Sequence, residues 1–443
     1  MSSHIVLDLS RLLWRADRFA PTGIDRVELA YARHLIANAR GRLSFVAWWH
    51  RLGLLPDDLA IGIVDALHAL WSGSVVDDAA RRRVTSIARR LRAHILVLGE
   101  WALYARLRRI RDPLVYLLVS HYRLDFPRPF RRFKERTGAR FVCLVHDLIP
   151  IQFPETVEEG DAERHQSRLR TVEQLADLVI LNSRGTRDAL ADYLGPAAAR
   201  AVPMHVAPLG VDLHLNGNAA PGAGRRRPYF VCVSTIEPRK NHRLLLDLWR
   251  LLAAEFGDNA PGLVVVGRRG WLSDDVIETM YGAPELRGLV EECNNLPDVA
   301  VATLVAGACA SLYPSFAEGY GLPVAEALAL GVPVVCSDLP ELREVGRQVP
   351  DYLDPRDPAS WYRAVLDYAD LASPRRQAQM RRLAAWQAPS WERHFEVVQP
   401  LIDNLVPPAL APVTSLGAVR ASQPALLAAR RVGGAAKSVG GKL

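Results

Sequence analysis

The chain has 443 residues, more than one hydrophobic core supports, so two or three domains are expected. It is 49% hydrophobic and 23% charged, an ordinary composition for a globular α/β protein. No apolar run approaches the roughly 18 residues of a spanning helix, so no such helix is expected. The net charge is +7, and 81–136 alone holds 16 Lys or Arg against four Asp or Glu. The bland reading of that excess is a solvated helical face. The sharper one is a surface that meets anionic lipid or a phosphorylated acceptor, with Arg81–Arg83 and Arg131, Arg132 and Lys134 as its clusters. Nucleic acid is disfavoured, since no helix-turn-helix, zinc-finger or RNP-like pattern accompanies the charge.

The start, Met1–Asp8, has no basic stretch followed by an apolar one, so no secretory leader is expected. Cys143, Cys232, Cys293, Cys309 and Cys336 form no C-x-x-C pair, and four of them lie in apolar surroundings. A zinc site or disulfide framework is therefore not expected, and a reducing cytoplasmic compartment is. Most of the ten tryptophans read as core.

Apolar β-rich runs alternate with helical runs along the first half. Strands are expected at 4–9, 44–49, 114–119, 140–145, 177–182 and 204–208, with helices at 24–36, 161–175 and 186–194. Continuous apolar strands between amphipathic helices predict a parallel sheet covered on both faces. The stretch 211–228, with Asn-Gly-Asn, Pro-Gly-Ala-Gly and Arg-Arg-Arg, reads as a linker. The alternation then restarts, with strands at 229–234, 263–267, 310–313 and 332–337 and helices at 242–256, 302–309 and 324–330. The expected organisation is a first α/β domain over 1–210, the linker, and a second over 229–385. A helix over 386–406 would pack back on the first domain, and a disordered basic tail would occupy 407–443.

The strongest chemical signal is Pro314-Ser-Phe-Ala-Glu-Gly-Tyr-Gly-Leu-Pro-Val-Ala-Glu326. A strand ends, a glycine-bearing loop follows, and a helix begins near Pro323. Glycines admit a ligand close to the backbone, and a helix N-terminus suits a diphosphate. Glu318 and Glu326 can accept hydrogen bonds from the paired hydroxyls of a sugar and a ribose. The second signal is Ser234-Thr-Ile-Glu-Pro-Arg-Lys-Asn-His242, again between a strand and a helix. Adjacent Arg239 and Lys240 at a helix N-terminus are unfavourable unless an anion compensates them. No Asp-x-Asp motif offers a divalent metal, and Gly267-Arg-Arg-Gly270 is not a dinucleotide fingerprint.

These segments, with Val266–Trp271 and Gly331–Asp338, resemble family 4 of the retaining glycosyltransferases, in particular its bacterial mannosyl- and rhamnosyltransferase-like members. The likeness is dense over 229–345. It is thinner before 210, where Pro21–Arg26, Val145–Pro150, Asn182-Ser183 and Pro208–Asp212 echo the family. It implies a GT-B fold, two Rossmann-like domains facing across a cleft.

It also implies roles. Glu318 would hold the donor sugar, Glu326 the ribose, and Arg239 and Lys240 the diphosphate. Gly23 would lie in the loop over the donor phosphates, and His146 near the reacting centre. Thr235, Gly319, Tyr320, Gly321 and Leu322 complete the implied donor-binding set. Where many members carry Gly-Arg at the strand end this chain has Ser234-Thr235, so Arg239 takes the phosphate role. The implied reaction is metal-independent transfer of a hexosyl group, with retention, to a glycan or lipid-linked acceptor at the inner face of the plasma membrane. GDP-mannose is the favoured donor; GDP-rhamnose, GDP-fucose and UDP- or dTDP-sugars are the others. The competing readings are an epimerase or phosphorylase on the same architecture, or a non-catalytic subunit that binds nucleotide sugar or membrane.

Overall fold

Two sheets with the same strand order form the protein. A computed structural model describes residues 3–18, 20–73, 78–212 and 227–405. The first sheet contains β1 (His4–Asp8), β2 (Leu43–Trp49), β3 (Arg51–Leu55), β4 (Leu114–Leu118), β5 (Arg140–Val145), β6 (Leu178–Leu181) and β7 (Met204–Val206), in the order 3-2-1-4-5-6-7. The second contains β8 (Tyr229–Val233), β9 (Gly262–Val266), β10 (Val290–Cys293), β11 (Ser311–Tyr313), β12 (Val334–Ser337) and β13 (Asp351–Leu353), in the order 10-9-8-11-12-13. In each, the order reverses beside the first strand, between β1 and β4 and between β8 and β11. Such a reversal opens a crevice beyond the C-terminal strand ends, where doubly wound sheets bind ligands.

The central strands are buried along nearly their whole length, as apolar parallel strands between helical layers must be. One departure from the expected parallel sheet lies at the edge of the first. β3 runs antiparallel to β2, joined through His50 in a left-handed conformation at φ 65°. Helices Asp57–Ser72, Asp78–Val97 and Gly99–Leu107 then fill the stretch before β4. The helix expected at 302–309 begins earlier and spans Asp298–Ala306, directly after Pro297. Of the tryptophans, Trp48, Trp71, Trp249 and Trp361 are buried, whereas Trp14 and Trp101 are largely exposed. The expected linker lies mostly, and the tail wholly, outside the described residues.

The last described helix, Trp391–Asp403, lies on the first domain. Its Phe395 stacks on His34 with ring centroids 3.6 Å apart, and Asp403 pairs with Arg42 at 2.9 Å. Buried His394 accepts from the Tyr31 hydroxyl at 2.7 Å through Nε2 and donates from Nδ1 to the carbonyls of Ala207 and Pro208. A Cβ on Gly210 would stand 2.3 Å from the Trp391 amide nitrogen, so the two crossings between domains touch. One apolar cluster runs from Ile5 and Tyr31 through Leu209 and Tyr320 to Leu342, Phe395 and Val398, joining both layers.

Burial pushes His394 and His4 down to about 4, and His4 is also beside Arg106. Unfolded histidine titrates near 6.5, so between pH 6.5 and 4 the unfolded chain binds protons that the folded one refuses. Folding stability is expected to drop over that window by up to about 1.4 kcal/mol per pH unit for each residue. Urea unfolding from pH 7.5 to 4.5 measures it. The slope should flatten in a His4→Gln, His394→Gln double variant, and an unchanged slope would contradict the assignment.

Candidate functional site

The Pro314–Glu326 motif is built at the crevice of the second sheet. After β11 the chain turns through 314–321 and enters the helix Leu322–Ala329, with Gly321 before it at φ 93° and Pro323 in its first turn. Only glycine adopts that backbone without strain, and a Cβ there would also stand 2.4 Å from Leu342. Across the crevice, after β8, Pro238–Lys240 makes one tight turn before the helix His242–Phe256. The Phe316 amide donates to the Arg239 carbonyl at 2.8 Å and ties the two loops together.

Their side chains converge. Lys240 reaches one oxygen of Glu318 at 2.5 Å, and the Ser315 hydroxyl donates to the same oxygen at 2.7 Å. Arg239 stands 3.5 Å from the other oxygen, donates to the Ala317 carbonyl and pairs with Glu237 at 2.7 Å. The Lys240 and Glu318 side chains are only 9% and 11% exposed. Burial alone would raise Glu318, but Lys240 and Arg239 outweigh it and hold the carboxyl below its usual range. The same burial, with Arg239 alongside, lowers Lys240. Arg239 and Lys240, expected from the sequence to serve a diphosphate, are thus also the counter-ions of Glu318.

The first domain forms the opposite wall. Gly23 opens the helix Gly23–Asn38, which is fixed by a reciprocal cap between Thr22 and Asp25. A Cβ on Gly23 would lie 3.5 Å from the Leu322 side chain, so this loop faces the start of the helix Leu322–Ala329 directly. Arg11 and Arg15 converge on buried Asp25 at 2.6 and 3.2 Å. Gly319 presses on His146: a Cβ there would meet the His146 carbonyl oxygen at 2.9 Å. Thr186 donates to the Gly319 carbonyl at 3.2 Å and closes the contact.

His146 follows β5 and is buried, which pushes it down to about 4 and keeps it neutral. Its Nε2 lies 2.7 Å from the Val119 carbonyl oxygen and must carry the proton to donate there. Nδ1 is then an acceptor. His121 and His165 crowd around it, with successive ring centroids 5.3 and 5.2 Å apart. At the crevice of the first sheet, Asp8 accepts from Tyr116 at 2.5 Å and from the Ser10 amide at 2.7 Å, while Glu28 accepts from the Leu12 amide. Burial raises Asp8 to about 6 and, with Asp8 adding to it, Glu28 to about 8. Both carboxyls anchor the short helix Ser10–Arg15.

Among the expected donor-binding residues, Thr235 stands half-buried after β8. Tyr320 commits its hydroxyl to the Leu209 carbonyl at 2.8 Å and pins the loop to the end of the first domain. Glu326 lies away from Glu318, one turn into its helix, and faces a separate group. Arg26 bridges it at 2.7 Å and Asp298 at 2.6 Å. Neither Arg26 nor Asp298 was singled out by sequence reasoning, although Arg26 ends the Pro21–Arg26 echo. A third missed residue is Ser315, beside Glu318. Among the described residues no group of three or more His, Cys, Asp or Glu could hold a metal.

Residues 227–370 match the family model "Glycosyl transferases group 1". The chain is 38% identical over 164 residues to the O-antigen chain mannosyltransferase B of Escherichia coli, covering 37% of this chain and 42% of that one. It is 28% identical over 251 residues to the serotype-specific mannosyltransferase WbdA of the same species, covering 53% of this chain and 31% of that one. The chain thus spans less than half the length of these curated relatives. Among solved structures, Anabaena HepE in complex with UDP and glucose superposes with a TM-score of 0.61 at 14% identity, over 90% of this chain and 99% of that one. An α,α-trehalose-phosphate synthase from Burkholderia vietnamiensis gives 0.58 at 13% identity, over 92% and 98%. The match thus covers the second sheet and its helices, and the fold that carries it is GT-B.

Proposed function

We propose that the protein is a retaining glycosyltransferase of bacterial surface-polysaccharide synthesis. It moves a mannosyl group from GDP-mannose to a hydroxyl of a glycan or lipid-linked acceptor, without a divalent metal. The observation that carries this is the convergence of Lys240, Arg239 and Glu318 at the crevice of the second sheet, beside the helix N-terminus at Leu322. The mannosyltransferase relatives support the choice of sugar.

In this reading Glu318 accepts hydrogen bonds from sugar hydroxyls. Lys240, Arg239 and the first turn of the helix Leu322–Ala329 stabilise the charge that grows on the departing diphosphate. The bond between the anomeric carbon and the phosphate oxygen breaks. The acceptor oxygen attacks from the same face, and its proton passes to the departing phosphate oxygen. His146, neutral and with Nδ1 free to accept, takes a hydroxyl of the donor sugar. The test is transfer from a panel of nucleoside-diphosphate sugars by the purified chain, with and without EDTA. Transfer that survives EDTA supports the mechanism, and abolition reversed by magnesium or manganese refutes the metal-free route.

In that assay Arg239→Ala should lower kcat by about 10²-fold, as loss of a preorganised transition-state donor does. Lys240→Ala should cost more, because it also leaves Glu318 buried without its nearest cation. Near-normal rates in both variants would remove the leaving-group role. Glu326→Ala should raise the donor KM more than it lowers kcat, as loss of a contact present in both ground and transition states does. An unchanged KM with a collapsed kcat would exclude a ribose role.

The proposed partner surface is an anionic leaflet. Lys134 is tied to Asp177 at 2.6 Å, and Arg136 and Arg132 both turn to Glu100, so the expected Arg131–Lys134 cluster is largely engaged within the protein. The helix Asp78–Val97 buries Val84, Ala88, Leu91 and Ile95 and exposes Arg82, Arg83, Arg89 and Arg90. Leu96, Val97 and Leu98 at its end and nearby Trp101 are 45%, 80%, 46% and 74% exposed. A basic face ending in an apolar tip suits shallow insertion into an anionic bilayer. Flotation with phosphatidylglycerol vesicles should capture the protein and phosphatidylcholine vesicles should not. Val97→Glu with Trp101→Ser should abolish capture while leaving donor hydrolysis intact. Equal binding to both vesicles would return this face to plain solvation.

A further inference from the structure

One cation in the cleft has no part in the leaving-group chemistry. Arg26 belongs to the first domain, in the helix Gly23–Asn38, yet both its terminal nitrogens are spent on the second. NH1 donates to Glu326 Oε1 at 2.7 Å and NH2 to Asp298 Oδ1 at 2.6 Å. Its Nε–H is buried without an acceptor among the described residues, so that donor is left for a ligand oxygen. Glu326 Oε2 receives no protein hydrogen bond among the described residues, which leaves it able to accept from a ligand hydroxyl.

The surroundings fit a nucleoside. A cavity bounded by Arg26, Asp298 and Glu326 continues along apolar Val233, Val301 and Pro323. Val233 and Tyr313, at the ends of β8 and β11, put it at the β8/β11 reversal, and Glu318 is not among the residues that line it. Two carboxylates, Asp298 at one helix start and Glu326 one turn into another helix, repel each other, and a forked guanidinium between them relieves that repulsion.

We propose that Arg26 is a positioning residue for the donor nucleoside: from the opposite domain it holds the Glu326 carboxylate in the orientation the ribose hydroxyls need, so that the ribose subsite is complete only when the two domains are closed. This rests on the donor-site reading given above. Four groups face Glu326. They are Arg26 from the helix Gly23–Asn38, Asp298 from the helix Asp298–Ala306, Asp212 from the segment after β7, and Tyr313 from β11. Burial raises the Glu326 carboxyl above its usual range; Arg26 opposes this, while Asp298 and Asp212 add to it. Without Arg26 the carboxyl takes up a proton at higher pH and loses acceptor capacity as pH falls.

The test is titration of the full chain with GDP, UDP and pyrophosphate from pH 6 to 8.5, for the wild type, Arg26→Met and Arg26→Lys. Wild-type affinity for the preferred nucleoside diphosphate should change little with pH. Arg26→Met should weaken it by about tenfold at pH 7.5 and by more at pH 6, the change that one unit of carboxyl titration brings. Arg26→Lys should restore most of the pH-independence. Pyrophosphate, which lacks the ribose, should bind all three alike and report an intact phosphate site. Wild-type affinity and a flat pH profile in Arg26→Met would overturn the inference, and so would an equal loss of pyrophosphate binding. Failure of the wild type to bind any nucleoside diphosphate would instead overturn the donor-site reading.

Discussion

Glu318 is a carboxylate in a cleft between two α/β layers, and its charge can stay there only if cations come with it. Lys240 and Arg239 are those cations, and both belong to the loop after β8. The need to neutralise one residue on the β11 loop therefore fixes the conformation of a second loop. The backbone bond from Phe316 to Arg239 makes the attachment rigid. These side chains are close to charge-balanced among themselves, with Arg239 and Lys240 set against Glu318 and Glu237. An incoming anion is selected less by bulk attraction than by how well it satisfies donors already aimed into the cleft.

The first domain is held to this arrangement through backbone contacts. Gly319 meets the His146 carbonyl where a side chain would not fit, and Gly23 faces Leu322. On the facing wall, burial keeps His146 neutral and raises the Glu28 carboxyl to about 8, while Arg11 and Arg15 are paired with Asp25.

Much of this was legible in the sequence because the central strands are buried on both faces and read as unbroken apolar runs. β5, the helix Asp161–Leu175 and the helix His242–Phe256 fall on their expected boundaries. The strands that escaped notice lie at sheet edges. β10 reads Val-Glu-Glu-Cys, and β13 is three residues long, so neither carries an apolar signature. Glu318 and Glu326 stand in a contiguous motif, and so does the Arg239-Lys240 pair. The ion pair that joins Lys240 to Glu318 could not be read, because 78 residues separate the partners. Arg26 and Glu326 are 300 residues apart and meet only once both domains are in place.

The helix Trp391–Asp403 completes the first domain with residues that lie beyond the whole of the second. A ribosome delivers the chain from its N-terminus, so Tyr31, His34 and Arg42 emerge long before His394, Phe395 and Asp403. At about 5–20 residues per second, the apolar side of the helix Gly23–Asn38 waits roughly 20–70 seconds for its cover. During that interval the second domain can fold by itself, since all of its strands lie between Tyr229 and Leu353. The first can settle only afterwards. The order of synthesis thus places the second domain ahead of the half that it must face, and a chain truncated before Trp391 would leave an uncovered apolar strip for chaperones and proteases to find.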